Sequence, residues 1–168
     1  MVRFWNIIHY FVYKVDYKLH LAFNKINPVF YFYRLPFTQR HFKKIGIDPL
    51  VEVNKAFKRP DIGISSIFAG GFMYILVFLI CFGFVYLYSA MTQIELNLQL
   101  YHFFALIIIS FITNHFLLFK RDKYLDYFKE FEKMEKTEKM KWAWISVGVV
   151  LIILLFSIGS FAFLNYRL

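Results

Sequence analysis

Residues 62–94 read IGISSIFAGGFMYILVFLICFGFVYLYSAMTQI, a run of 33 residues without Asp, Glu, Lys or Arg. A helix needs about 20 apolar residues to cross a hydrocarbon core about 30 Å thick. The run is therefore long enough for one crossing, centred on residues 67–88, with Ile62–Ser66 as an interfacial lead-in. Two further uncharged runs follow, Leu96–Phe119 and Trp142–Tyr166, of 24 and 25 residues. Tight alternation of polar and apolar residues is absent, which disfavours a lipid-facing β-barrel. Helices satisfy every backbone polar group within one segment. The expected fold is an all-α integral membrane protein. Three transmembrane helices are expected over about 67–88, 98–119 and 142–164, inside a membrane domain at 62–166.

Composition agrees. Of 168 residues, 60% are hydrophobic, 23% aromatic and only 18% charged, against about 45–50% apolar and about 25% charged in ordinary soluble domains. A soluble fold of this length would have to expose much of its Phe and Tyr. Seven Gly, four Pro and one Cys exclude collagen-like, disordered and disulfide-stapled classes. Phe4–Tyr13 is uncharged over only 10 residues before Lys14, Asp16 and Lys18 close it. It lacks the small-residue cleavage pattern of a secretory signal peptide, so it is neither a fourth span nor a leader.

Basic residues set an expected orientation. Residues 1–61 hold 11 Lys+Arg, residues 120–141 hold 8, and Arg167 completes the 20. Basic loops stay on the cytoplasmic side. The N-terminus and the loop 120–141 are expected in the cytoplasm, with Met91–Asn97 and the C-terminus outside the plasma (inner) membrane.

The segment 1–61 reads as a cytoplasmic-side layer of amphipathic interfacial helices. Phe4, Ile8, Phe11, Val15, Leu19, Ala22 and Ile26 recur at helical spacing, the signature of one apolar face. Arg3, Lys14, Lys18 and Lys25 flank it, as in a helix lying in the headgroup plane. Tyr10, Tyr13 and Tyr17 line the far side, either packing on the protein's own loop helix or offering a partner face. Pro28 and Pro36 bracket an aromatic patch, Val29–Tyr33. Asp48-Pro49 reads as an N-cap before a proline-started helix ending near Lys58, ahead of Pro60. Arg40, Lys43, Lys44, Lys58 and Arg59 are candidate contacts for anionic lipid; nucleic acid is the disfavoured alternative, because positive charge beside a span already serves topology. The loop 120–141 reads as a flat-lying helix, with Tyr124, Tyr127, Phe128, Phe131 and Met134 on one face and Glu132–Lys136 and Glu135–Lys139 as i,i+4 pairs.

Chemistry-bearing motifs are missing from the sequence: HExxH, GxSxG, a Gly-rich phosphate loop and CxxC do not occur. No catalytic residue, cofactor or metal is assigned. Arg34 and His41 have a spacing found in one family of helical ribonucleases, but Leu35-Pro36 would break the helix that geometry requires. Glu95, Gln99, His102 and Thr113 fall near one line if the second span is helical throughout. They are a candidate polar stripe, since ionisable groups at membrane depth usually face protein or a wet cavity. Ser66 and Gly70 in the first span, with Ser157 and Ser160 in the third, are small residues suited to close helix packing.

The function this supports is a non-enzymatic subunit or anchor of a larger membrane complex. The alternative is a self-assembling, pore-forming or membrane-perturbing effector. Expected partners are the bilayer and other membrane subunits or further copies of the chain. The orientation is directly testable: a periplasm-dependent reporter fused after Leu168 should be active, and a cytosol-dependent reporter at the same point inactive. The reverse pattern would invert the map.

Overall fold

The computed structural model describes residues 1–95 and 97–167; Leu96, within the Met91–Asn97 connection, and Leu168, at the C-terminus, lie outside the described residues. Among those described, every regular element is helical. Two compact units are formed, one from Met1–His9 with Gly71–Leu168 and the other from Tyr10–Gly70.

The Tyr10–Gly70 unit contains most of α1 (Val2–Ile26), then α2 (Pro28–Tyr33), α3 (Pro36–Ile45), α4 (Pro49–Lys58) and the start of α5 (Ile64–Thr92). Neither Gly nor Pro interrupts α1. It stops where Asn27 precedes Pro28, a position that disfavours helical backbone. Asn27 is extended, and its side chain accepts from the Val29 N–H at 3.0 Å. Each of the next three helices begins on a proline, whose missing N–H is no loss at the first helical position. Pro28 and Pro36 therefore start helices, and the aromatic patch Val29–Tyr33 between them is a helical turn and a half.

Helix α3 ends at Gly46, which is left-handed at φ +73°. Its N–H donates to Lys43 O at 3.3 Å, and Ile47 N–H donates to Phe42 O at 3.2 Å, the paired bonds of a Schellman cap. Asp48 then accepts from the Leu50 and Val51 amides at 2.9 and 3.3 Å, so α4 has the N-cap its sequence implies. Between α4 and α5 the chain is fixed by Gly63 N–H to Arg59 O at 3.0 Å and Ser66 Oγ to Pro60 O at 2.7 Å.

The other unit holds the remainder of α5, α6 (Leu100–Asn114), α7 (Lys123–Glu132) and α8 (Lys136–Arg167). Three helical runs are long and apolar enough to cross a membrane: Ile64–Thr92 (29 residues), Leu100–Glu132 (33) and Lys136–Arg167 (32). The second is not one straight rod. After α6 come a π-helical turn, His115–Phe119, and a 3₁₀ turn, Lys120–Asp122. Arg121 and Asp122 sit at φ +60° and +52°, which side chains other than glycine adopt only at a cost. The chain changes direction there, and α7 follows as a separate helix.

The loop 120–141 also divides differently from its sequence reading. A turn at Lys133–Glu135 separates α7 from α8, so Glu132–Lys136 and Glu135–Lys139 do not lie within one helix. Instead the Lys139 ammonium donates to the Glu132 carbonyl at 2.7 Å. Tyr124, Phe128 and Phe131 are buried. Each such aromatic contributes a few kcal/mol on burial, which outweighs two exposed helix pairs of a few tenths of a kcal/mol.

Gly46 and Gly71 make a matched test. Gly46→Ala forces a Cβ into left-handed backbone and should destabilise the detergent-solubilised chain by about 1 kcal/mol. Around Gly71 a Cβ meets open space, so Gly71→Ala should leave the melting temperature unchanged or raised.

Candidate functional site

The most heavily bonded polar side chain of the first unit is Asn114, at the end of α6 and fully buried. Its amide nitrogen donates to Met73 O of α5 and Ser110 O of α6, both at 3.1 Å. Its oxygen accepts from the Trp5 indole N–H at 2.9 Å. One side chain thus joins α1, α5 and α6. Ser110 adds a second link between α6 and α5 by donating to Tyr74 O. Asn6, also fully buried, donates to Val2 O and to Leu117 O, both at 2.9 Å. Leu117 lies in the π-helical turn, where the regular i→i−4 ladder is interrupted and a carbonyl becomes available to another donor.

Around these bonds the first residues of α1 are enclosed by aromatic rings. His9 packs edge-on or tilted against Phe119, Tyr124 and Phe128, with centroids 6.0, 5.6 and 5.1 Å away. Phe4 meets Trp142 edge-on at 6.3 Å. Arg3 pairs with Glu130 at 2.8 Å, and both side chains are about half exposed, so the pair adds little stability. Residues 1–9, α7 and the start of α8 therefore meet at one end of this unit. Asn6 through Tyr10 are five consecutive buried residues. Protein thus covers residues 6–10 of α1 on every side, while Met1, Arg3 and Phe4 before them are exposed.

In the Tyr10–Gly70 unit, α1 is tied to α4. The Tyr13 hydroxyl donates to Lys58 O. His20 Nε2 lies 3.1 Å from Asn54 Oδ1 and 2.9 Å from Asn24 Nδ2, and Asn24 Nδ2 donates to Asn54 Oδ1 at 2.8 Å. The His20 ring stacks on Phe57 at 3.5 Å. A groove of about 160 Å³ runs between α3 and α4, lined by Tyr33, Gln39, Phe42, Lys43, Ile47 and Leu50 among others. At the α4–α5 elbow, Arg59 donates to Asp61 through two nitrogens at 3.2 and 2.7 Å. The guanidinium hydrogen bonds hold the Asp61 carboxyl down at about 2. A depressed carboxylate is stabilising above its ordinary value near 4 and loses that contribution as pH falls towards 2. The elbow pair is therefore intact throughout the physiological range.

Only two members of the expected polar stripe, His102 and Thr113, lie on α6. Helix α6 begins at Leu100, so Glu95 and Gln99 precede it, and both are exposed. His102 closes the helix start: its Nδ1 accepts from the Gln99 N–H at 3.1 Å, and its own N–H donates to Gln99 O at 3.0 Å. Thr113 is half-buried, about three turns further along α6. Tyr10 and Tyr13 are covered by the protein itself, and Tyr17 is half-buried. This leaves Tyr17 as the most accessible residue of the proposed partner face.

Among the candidate packing residues, Ser66, Gly70, Ser157 and Ser160 are all buried. Ser66 bonds Pro60 O, and Ser160 donates to Phe156 O at 2.8 Å. A close approach that the sequence reading missed is at Gly83, where a Cβ would lie 2.6 Å from the Phe156 ring. Arg40, Lys43, Lys44, Lys58 and Arg59 are all exposed. Among the described residues no group of three or more His, Cys, Asp or Glu comes together to hold a metal ion.

Asn6, Trp5 and Asn114 are the site residues that sequence reasoning left unassigned. A lone Asn deep in an apolar run was the available signal for Asn114. Nothing local marks Asn6 or Trp5, whose bonds reach across more than 100 residues of chain. No family model, curated protein or solved structure matches this chain.

The Asn114 node makes a quantitative prediction. In a double-mutant cycle of Trp5→Phe and Asn114→Leu, unfolding of the detergent-solubilised chain should show a coupling of about 1 kcal/mol, as expected for one buried hydrogen bond. Additive losses would mean that this bond does not join the helices.

Proposed function

We propose that this chain is a non-enzymatic, three-span protein of the plasma membrane that anchors a larger membrane complex through its cytoplasmic-side helices. The helical runs containing α5, α6 and α8 are the spans, and positive charge at both ends of the sequence-predicted cytoplasmic face orients them. The observation that carries the reading is the two-sidedness of α1 beyond His9. Val15, Leu19, Phe23 and Ile26 lie along one side with 52–69% of their surface exposed. On the opposite side, Tyr13, His20 and Asn24 bond α4. Such a helix offers an apolar stripe outward while a polar network fixes its back. That arrangement suits a headpiece held against lipid or against another subunit.

A pore is the competing reading. It would need polar groups aligned along one helix, whereas Glu95 and Gln99 precede α6 and His102 is engaged in starting it. That placement weighs against conduction along α6 and for the anchor.

Purification of the full chain in mild detergent, followed by mass spectrometry, separates the two. An anchor should carry other polypeptides at fixed stoichiometry, and its overproduction should leave the membrane potential intact. A homo-oligomer whose overproduction depolarises cells would overturn the proposal in favour of the pore.

A further inference from the structure

The Tyr10–Gly70 unit contains 10 Lys+Arg and 4 Asp+Glu, an excess of six positive charges. Three of the four carboxylates are engaged. Asp48 caps α4, Glu52 lies 3.6 Å from Lys55, and Asp61 holds Arg59. Among the described residues no carboxylate pairs with Arg40, Lys43 or Lys44, all three on α3.

Helix geometry orders that element. At 100° per residue, Phe37, Arg40 and Lys44 fall within about 60° of one another. Lys43 stands on one flank and His41 on the other, while Thr38 is buried further round, next to Ile45. Phe37 is 62% exposed, so a bare aromatic ring sits among unneutralised cations. Helix α2 and the α2–α3 joint continue the apolar surface with Tyr31, Phe32 and Leu35, all exposed. Solvent-facing apolar patches of this extent mark interaction surfaces.

We infer that the outward face of α2 and α3 rests on an anionic lipid leaflet, with Arg40, Lys43 and Lys44 on lipid phosphates and Phe32 and Phe37 seated between headgroups. The inference rests on the membrane-spanning reading above. Charge complementarity selects the partner: cations without carboxylates, interleaved with aromatics, match a surface of phosphates over hydrocarbon. Continuity selects it again. The same unit ends in the first turns of α5, where Ile64, Ile67 and Phe68 are exposed, and its elbow is fixed by Arg59–Asp61 and Ser66–Pro60. A surface carried on the same chain as the spans binds as an intramolecular event, so modest per-residue attraction suffices. Each Lys or Arg near an anionic leaflet contributes about fivefold in the bound-to-free ratio, and three contribute about 100-fold.

The test uses the full chain with Cys81→Ser and one introduced cysteine carrying an environment-sensitive fluorophore, at His41→Cys on α3 or Phe84→Cys on α5. Each protein is placed in lipid nanodiscs of phosphatidylcholine alone or mixed with phosphatidylglycerol. The Phe84 label should be quenched by acyl-chain nitroxide lipids in both bilayers. If it is not, the spanning reading falls and the inference with it. With that control in place, the His41 label should shift to the blue and gain protection from aqueous iodide only in the anionic discs. Arg40→Gln, Lys43→Gln and Lys44→Gln together should abolish the response while leaving the Phe84 label unchanged. An identical His41 signal in both bilayers, or one that survives the triple replacement, overturns the inference. So does a shift in neutral discs produced by inorganic phosphate or by single-stranded RNA, which would assign the cations to a soluble ligand.

Discussion

Apolar helices surrounded by hydrocarbon gain nothing from hiding apolar surface against one another, because the surrounding tails are equally apolar. What joins them must be close packing and the few polar groups they carry. Three helical runs of this protein are long and apolar enough for such surroundings, and among their described polar groups Asn114 makes the most bonds between elements. Its two donated bonds and one accepted bond connect α5, α6 and the first turns of α1. A buried primary amide left without partners costs several kcal/mol in an apolar medium, so each of the three elements is held in register by the penalty of moving away. Ser110 repeats the link two-thirds of the way along α6. Gly83 lets the Phe156 ring of α8 approach α5 where a larger residue would stand it off.

The same principle operates in the Tyr10–Gly70 unit, on smaller helices. Helices of six to ten residues are marginal alone. Here they are secured by caps at Asn27, Gly46 and Asp48 and by the His20–Asn24–Asn54 network, which joins α1 to α4. Polar bonds inside this unit release its apolar side chains to face outward. That explains why Val15, Leu19 and Phe23 are exposed while Tyr13, with its hydroxyl, is buried.

The apolar runs were legible because charge patterning is a one-dimensional property, and three stretches without Lys, Arg, Asp or Glu need no knowledge of contacts. Asp48-Pro49 was legible for a similar reason: a cap acts over three residues. Features set by distant contacts were not. The break at Arg121–Asp122 occupies left-handed backbone without the glycine or asparagine that would announce it. Its cause is tertiary, since it lets α7 bury Tyr124, Phe128 and Phe131. The burial at the start of α1 was not legible for the converse reason. Its period of three to four describes an amphipathic face, but residues 6–10 are buried on every side. Periodicity predicts one covered face and has no means of signalling complete enclosure. The polar stripe was drawn on a helix from Glu95 onward, whereas α6 begins at Leu100 and carries only His102 and Thr113 of it.

Where the polar groups of the apolar helices are engaged bears on what the protein can do. A conducting path needs polar atoms directed into a lumen, and each of them must be given up by the packing. On α6 the sequence supplies few: His102 accepts a backbone amide, Ser110 donates to a carbonyl of α5, and Asn114 has all three of its bonds within the protein. Ser110 and Asn114 serve cohesion between helices, His102 starts its own helix, and Thr113 is half-buried on α6. The charged side chains of the Tyr10–Gly70 unit are arranged in the opposite way, with the cations of α3 standing outward beside exposed aromatics. Interaction capacity thus resides in the helices before the first long apolar run, and the apolar helices hold one another. That division is the ground on which an anchor is proposed here in preference to a pore.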